Sequence, residues 1–403
     1  MADDAKELGE RIRAARKMRG FSVRQLAEMV NVSIPTLEKY EGGTRNPSNR
    51  MIVDLAKALH VGPERLNGQP YMNSAESEDG VQAVIPDLRR VLWTYDSPEE
   101  SELAPRPLEV LAAEMEHICQ MRRDCQYVPM GPLLPSLLTE LSQVALSSTG
   151  EAQERAYWWL ALGYRAANSL SHKLGYHDLS MTAIERVRWA ADRSGDPFMS
   201  IVAEYLLLGA LLRQGTWAPA NRLLNELEGR VRSEVAGGRW DNTSRGLLGS
   251  IVLKRVALLA RQGDVDGAMR GIEEAEEISA ASANLDGVYY ETSFGPSNVK
   301  IHEVHALLET GNPSVAVQQA RDFVPPPDLP GERRSHHFID LAAAQLANGD
   351  REGSFKSLQE ARRISPLHTR FHPSVRHTSA TLVRLDRNQH DTVAGFARWT
   401  GGI

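Results

Sequence analysis

Residues Phe21 to Gly43 read FSVRQLAEMVNVSIPTLEKYEGG, and this stretch decides how the N-terminal part of the chain folds. Ser22 is a good helix N-cap, Gln25 three residues on completes a capping box, and Phe21 can staple onto Leu26. Leu26, Ala27 and Val30 supply the apolar face of that helix. Asn31 stands where the chain must turn sharply, and asparagine is among the few side chains that tolerate a positive φ. Ser33 caps a second helix, Pro35 falls in its first turn where a missing N–H costs little, and Gly42-Gly43 ends it. The stretch therefore predicts two short helices set at a steep angle by a tight turn.

Working outward, residues 5–18 predict a preceding helix with Ala5, Leu8, Ile12 and Ala15 on one face and Arg11, Arg13 and Lys17 outside. Downstream, a helix starting near Ser48 buries Ile52, Leu55, Ala56 and Leu59, and a short turn from Pro63 to Leu66 closes a five-helix domain. Residues 8–68, through LGERIRAARKMRGFS, QLAEMVNVS, Leu37, YEGGTRNPS and LAKALHV, resemble the λ-repressor/Cro-like (XRE-type) helix-turn-helix family in register.

The composition is that of a globular protein, 42% hydrophobic and 24% charged, and 403 residues exceed one ordinary core. No apolar run reaches the roughly 20 residues that cross a bilayer, and MADDAKELGERI does not read as a signal peptide. Cys119 and Cys125 have the wrong spacing for a C-x-x-C metal pair and are expected as buried free thiols in a reducing compartment. A bacterial cytoplasmic protein is the expectation, nucleoid-associated when bound. Residues 1–70 carry 12 Lys/Arg against 9 Asp/Glu, and the remainder 34 against 43. A mildly basic head on an acidic body suits a protein that offers one end to a polyanion.

Residues 69–82, QPYMNSAESEDGVQ, are polar and aperiodic and read as a linker, with the body set at 86–403 after a connecting segment of 69–85. From Pro86 onward the reading is helix throughout, without strand alternation. Four segments share one form, RQGTWAPANRLLNEL, RQGDVDGAMRGIEEAEEI, ETGNPSVAVQQARDF and ANGDREGSFKSLQEARRI. Each has a helix-ending glycine (Gly215, Gly263, Gly311, Gly349) and a small residue five positions on (Ala220, Ala268, Ala316, Ser354). An apolar or small residue follows at twelve (Leu227, Ala275, Phe323, Ala361). This is the logic of a tetratricopeptide-like helical repeat with elongated spacing. The expected fold class is all-α, a five-helix λ-repressor-like domain followed by a tetratricopeptide-like α-solenoid. TSFGPSNVKIHEVHALLETGN, LPGERRSHHFIDLAAAQLANGD and LQEARRISP resemble the long regulators, common in actinomycetes, that join such a head to such a body.

The resemblance implies that the second helix of the motif, within residues 22–41, enters the major groove of double-stranded operator DNA. By matching positions, Ser33, Ile34, Pro35, Thr36 and Lys39 face the bases, while Ser22, Arg24, Arg45 and Asn46 contact phosphates. Arg16 and Glu41 match a partly buried ion pair of the family. Val23 stands where a polar residue is frequent, and Ile34-Pro35 replace polar residues, so base readout is expected to be sparse and to lean on phosphates and DNA shape. A homodimer, held by the body, would present two heads to half-sites about 34 Å apart.

No Walker A sequence, G-x-S-x-G elbow or G-x-G-x-x-G occurs, and neither an enzyme nor a cofactor is expected. His302-Glu303-Val304-His305 falls one residue short of a zinc-protease motif. It is read, with His336-His337, His368, His372 and His377, as ordinary helix histidines, and no metal site is expected. A peptide or small-molecule effector is placed on the concave face of the repeats, with Trp158, Trp159, Arg165, Asn168, Asn298 and His302 as candidate contacts. The alternative is a protein-interaction scaffold whose head docks onto protein.

Overall fold

The structure, a computed structural model, describes residues 4–70, 79–98, 104–235, 240–283, 285–385 and 391–401. The N-terminal domain holds α1 (Asp4–Met18), α2 (Val23–Met29), α3 (Ile34–Glu41), α4 (Asn49–Leu59) and α5 (Pro63–Asn67). The local signals act as the sequence predicts. Ser22 and Gln25 form the reciprocal capping box of α2, Ser33 and Ser48 cap α3 and α4, and Asn31 takes φ 53° in the turn between α2 and α3. Leu8, Ile12, Leu26, Leu37, Ile52, Leu55, Leu59 and Leu66 close one core.

α1 lies unusually close to α3. A Cβ placed on the buried Gly9 would meet the carbonyl oxygens of Tyr40 and Glu41 at 2.6 Å. Gly9→Ala is therefore expected to push α1 off α3 and destabilise the domain by about 1–3 kcal/mol, the usual range for overpacking. Thermal unfolding checks this; an unchanged or raised midpoint would show that α1 has room to move.

The body begins inside the expected linker. Residues 71–78 of that segment lie outside the described residues, but α6 (Asp79–Gln82) is helical. Val81, Val84 and Ile85 are buried with the residues that follow. Then come α7 (Ile85–Trp93), α8 (Leu108–Arg123), α9 (Tyr127–Ser147), α10 (Gly150–Lys173), α11 (His177–Ala191), α12 (Pro197–Arg213), α13 (Trp217–Glu234), α14 (Asn242–Gln262) and α15 (Val265–Ala281). A hairpin of β1 (Gly287–Tyr289) and β2 (Thr292–Phe294) follows. The rest is α16 (Pro296–Glu309), α17 (Pro313–Ala320), α18 (Gly331–Ala347), α19 (Arg351–Ile364), α20 (Pro366–Phe371), α21 (Pro373–Leu385) and α22 (Asp391–Thr400). Among the described residues the fold is all-α apart from that hairpin.

Successive helices pair, α10 with α11, α12 with α13, α14 with α15, α16 with α17 and α18 with α19. The first helices of these pairs also touch one another, α12 on α14, α14 on α16 and α16 on α18. They form one continuous wall. The helix-ending glycines Gly215, Gly263, Gly311 and Gly349 all take positive φ, and Ala220, Ala268, Ala316 and Ser354 are all fully buried where paired helices approach. The pair of α16 and α17 departs from the expected form. α17 ends at Ala320, so Phe323 falls beyond it and packs edge-on against His337, 5.1 Å between ring centroids. Pro325, Pro326 and Pro327, which follow directly, cannot donate the hydrogen bonds that would extend a helix.

The hairpin corrects the reading of this region as helix alone. Its antiparallel register pairs Gly287 with Phe294 and Tyr289 with Thr292. Tyr290 and Glu291 at its tip both take positive φ, 47° and 63°, as a tight two-residue hairpin turn requires. The tip is anchored by charge. The Glu291 carboxylate pairs with Arg122 at 2.7 Å and also with Arg123, and the Glu291 carbonyl accepts a hydrogen bond from Arg165 at 2.6 Å.

Among the described residues, no helix is long and apolar enough to cross a membrane.

Candidate nucleic-acid interface and the cavity behind it

α3 is held from beneath and bare on top. Leu37, Tyr40 and Glu41 are buried, while Ser33, Ile34, Pro35 and Lys39 are exposed and Thr36 is half-exposed. The buried end is fixed by Arg16, whose Nε and Nη2 donate to Glu41 Oε1 and Oε2 at 2.6 and 2.9 Å, with Nη1 on the Phe21 carbonyl at 2.8 Å. Both side chains are buried, so the fork-to-carboxylate geometry offsets the desolvation of two charges. The hydrogen bonds it donates to Glu41 raise the Arg16 pKa against the effect of burial. The pair implied by the family resemblance is present.

The exposed end of α3 is less polar than its composition suggests. Ser33 Oγ and Thr36 Oγ1 lie 2.8 Å apart, and Ser33 Oγ also accepts from the Thr36 amide. Lys39 is the cation of the exposed α3 face. Ser22, Arg24 and Arg45 are exposed around it, with the Arg45 guanidinium 5.8 Å from the Tyr40 ring centroid. Asn46 is placed differently. Its Nδ2 donates to the His377 carbonyl at 3.0 Å and to Thr381 Oγ1 at 2.9 Å, so this expected phosphate contact is engaged with α21.

Asn46 belongs to a larger contact between head and body. Arg384 donates to the Gly43 carbonyl, Asn49 Nδ2 to Glu309 Oε1 at 2.8 Å, and Lys57 to the Gly215 carbonyl while lying 5.0 Å from the Trp217 ring centroid. α4 and α5 thereby cover the wall built by the first helices of the pairs. Between them is a cavity of about 360 Å³. The head contributes Asn49, Arg50, Val53, Glu64 and Asn67; the body contributes residues of α10 to α14, α16, α18, α20 and α21.

Of the effector contacts expected from the sequence, the structure puts only His302 on this cavity. Trp158 donates to Asp196 Oδ2 at 3.1 Å and packs edge-on against Trp159, both against the body's core. Arg165 is buried and spent on the hairpin tip, where burial and the neighbouring Arg122 lower its pKa to about 10. Asn168 accepts from Ser180 Oγ at 2.7 Å, and Asn298 donates to the Ser293 carbonyl at 2.7 Å to brace the hairpin.

The histidines read as ordinary turn out to converge. His305 Nδ1 lies 3.0 Å from Asp340 Oδ2 and His336 Nε2 lies 3.5 Å from it, while His368 and His372 stack around His336. The ligand atoms of His305, His336 and Asp340, and those of His336, His368 and His372, lie within 4.8 Å of one another, the spacing of groups that can gather a metal ion. The charge around them opposes a dication. Burial, with Arg333 and other cations adding to it, holds His302 and His336 well below the ordinary imidazole pKa, and His372 is lowered to about 4 by burial and Lys173. Burial also opposes charge on His305, but Asp340 outweighs it and raises its pKa. No motif announces this cluster, because His302 to His372 span helices that only the stacking brings together.

A capped two-helix turn with its second helix bare at one end and buried at the other defines a helix-turn-helix DNA-binding domain. Residues 7–67 match the family described as "Helix-turn-helix domain". Over 80 residues the chain is 43% identical to an uncharacterized HTH-type transcriptional regulator of Mycobacterium tuberculosis, in strains CDC 1551 and H37Rv, covering 20% of this chain and 57% of that protein. Over 63 residues it is 35% identical to the uncharacterized HTH-type transcriptional regulator YazB of Bacillus subtilis, covering 16% of this chain and 91% of YazB. Through its N-terminal domain the chain belongs to the HTH-type transcriptional regulators, and it spans little more than half the length of the mycobacterial relatives. The descriptions of these relatives name regulators and no enzyme. Among solved structures, Bacillus thuringiensis PlcR in complex with the peptide PapR7 and DNA aligns with a TM-score of 0.33 at 14% identity, over 79% of this chain and 94% of that one.

Proposed function

We propose that the protein is a sequence-specific transcriptional regulator, acting as a dimer, whose affinity for DNA is set by a small-molecule or peptide signal in a tetratricopeptide-like body. The observation that carries this reading is the position of the cavity. It lies between the head and the inner wall of the body, so a bound signal touches both. A ligand shifts a two-state equilibrium only through a difference in affinity for the two states. A molecule contacting α4 on one side and α14, α16 and α18 on the other makes such a difference when the head moves. The body's hold on Asn46 gives the head a second state, because releasing it frees a side chain placed to reach phosphate.

In this reading α3 lies in the major groove. Lys39 donates to guanine acceptors, Thr36 to either base edge, Ile34 meets a thymine methyl, and Ser22, Arg24 and Arg45 hold phosphates. With so few polar groups, one head binds weakly, and two heads at a fixed spacing supply the affinity. Selection of duplexes from a random pool by the full-length chain tests this. The expected outcome is an enriched site with two related halves about one helical turn apart, bound with steep salt dependence. Recovery of unrelated sequences after several rounds would overturn it.

A further inference from the structure

Three cations on the cavity wall have no carboxylate partner among the described residues. Arg213 comes from the end of α12; Lys254 and Arg261, seven residues apart on α14, lie on one face of that helix. All three are half-buried, Lys254 lies over the Tyr205 ring face, 4.9 Å from the centroid, and Arg261 Nε is buried without a hydrogen-bond partner. Of the three carboxylates on the wall, Glu64 lies on the head side, where it accepts from Gln214 Nε2 at 3.4 Å, and the two on the body side are already committed. Asp340 is held by His305 and His336, and Glu332 pairs with Lys173 at 2.7 Å and with Arg333 at 3.3 Å. The cavity therefore carries excess positive charge withdrawn from water, a costly arrangement unless a ligand supplies the counter-charge.

The other polar groups on the wall suit the same ligand. His172, His302, His336 and His372 each have a buried Nδ1 without a partner, and a neutral imidazole offers an N–H from whichever nitrogen carries the proton. Burial, with Arg333 and Arg213 adding to it, lowers the Lys254 pKa to about 7, as expected of a cation placed among cations. The volume is near the lower end of the range for small-molecule sites, about 300–1,000 Å³, which favours a compact metabolite over an extended peptide.

We propose that this cavity binds a small oxyanion carrying two or more negative charges, held by Arg213, Lys254 and Arg261 with histidine N–H groups around it. The proposal rests on reading the cavity as the signal site, and gives that signal its chemistry. Guanidinium forks match phosphate and carboxylate oxygens alike, so the shared chemistry is a polyanion, either a phosphorylated molecule or a polycarboxylate.

Thermal unfolding of the full-length chain, without DNA, is the test. Pyrophosphate and citrate are the probes, against sodium chloride at matched ionic strength. A saturable rise in Tm with either anion supports the proposal, pyrophosphate alone marking a phosphorylated ligand and citrate alone a polycarboxylate. Lys254→Met should weaken the response at least tenfold while raising the Tm of the ligand-free chain, because it removes an unpaired, desolvated charge. A purely structural lysine would show the opposite sign. Arg261→Gln, which keeps most of the side-chain volume, provides the same comparison if the first variant does not fold. No rise beyond that of the chloride control, a rise with zinc chloride alone, or an undiminished response in both variants would overturn it. Because DNA is absent, failure here leaves the DNA-binding reading standing, and that reading fails or stands on duplex selection.

Discussion

Arg16→Ala is expected to unfold the N-terminal domain while leaving the body intact. The Arg16–Glu41 pair is buried on both sides, and Arg16 also holds the Phe21 carbonyl at the start of the α2–α3 unit. Removing Arg16 leaves the buried Glu41 carboxylate with only the half-exposed Arg13, 3.4 Å away, a poor substitute for the lost fork, at a cost approaching the ~3–5 kcal/mol of breaking a buried ion pair. That is a large share of the stability of a domain built on one small core. Limited proteolysis and thermal unfolding check it: cleavage within residues 7–67 should become rapid while the body's transition stays in place. Arg16→Met combined with Glu41→Leu removes both charges and should recover much of the loss. A midpoint for Arg16→Ala within about a degree of the unaltered chain would mean that the pair does not anchor α3.

The second large effect concerns DNA. Lys39 is the cation on the exposed face of α3, and Arg45 follows the helix in an exposed turn. If Lys39 reads a guanine edge, Lys39→Ala should cost about 1–3 kcal/mol on the selected site and little on unrelated duplex. Arg45→Ala should weaken binding to both alike and reduce the slope of log K against log salt by about 0.9, as expected when a single phosphate is no longer neutralised. Fluorescence anisotropy over a salt series separates the two. Unchanged affinity in both variants would mean that α3 does not dock as described.

How far the chain is legible follows from the range of each interaction. The head reads almost whole because its signals are local. The Ser22–Gln25 box, the Ser33 cap and the positive φ of Asn31 each involve residues within a few positions of one another. The helix-ending glycines of the body are local too, and Gly215, Gly263, Gly311 and Gly349 do what their spacing implies. The hairpin escapes such a reading because strands of three residues carry no alternation to detect, and its anchor, Glu291 on Arg122 and Arg165, spans more than a hundred residues. The cavity escapes it for the same reason. It takes residues from nine body helices and two head helices, and nothing local distinguishes His302, which lines it, from Asn298, which braces a strand. Asn46 shows the limit of reading by resemblance. Its position matches a phosphate contact, but the helix-turn-helix resemblance that assigns it covers residues 8–68 alone and says nothing of α21.

The most direct test of the central claim, that the exposed end of α3 reads DNA, is cleavage from α3 itself. The two native thiols lie buried, and burial lifts the pKa of Cys119 to about 12 and of Cys125 to about 11, so neither competes for a thiol-directed reagent. Pro35→Cys places one reactive thiol at an exposed position in the first turn of α3. Carrying an iron chelate there, the full-length chain should cut its selected duplex at two clusters, one in each half-site, and unrelated duplex only diffusely. Diffuse cutting on the selected duplex, or none above free reagent while the complex stays intact, would contradict the account and place the DNA contact elsewhere on the chain.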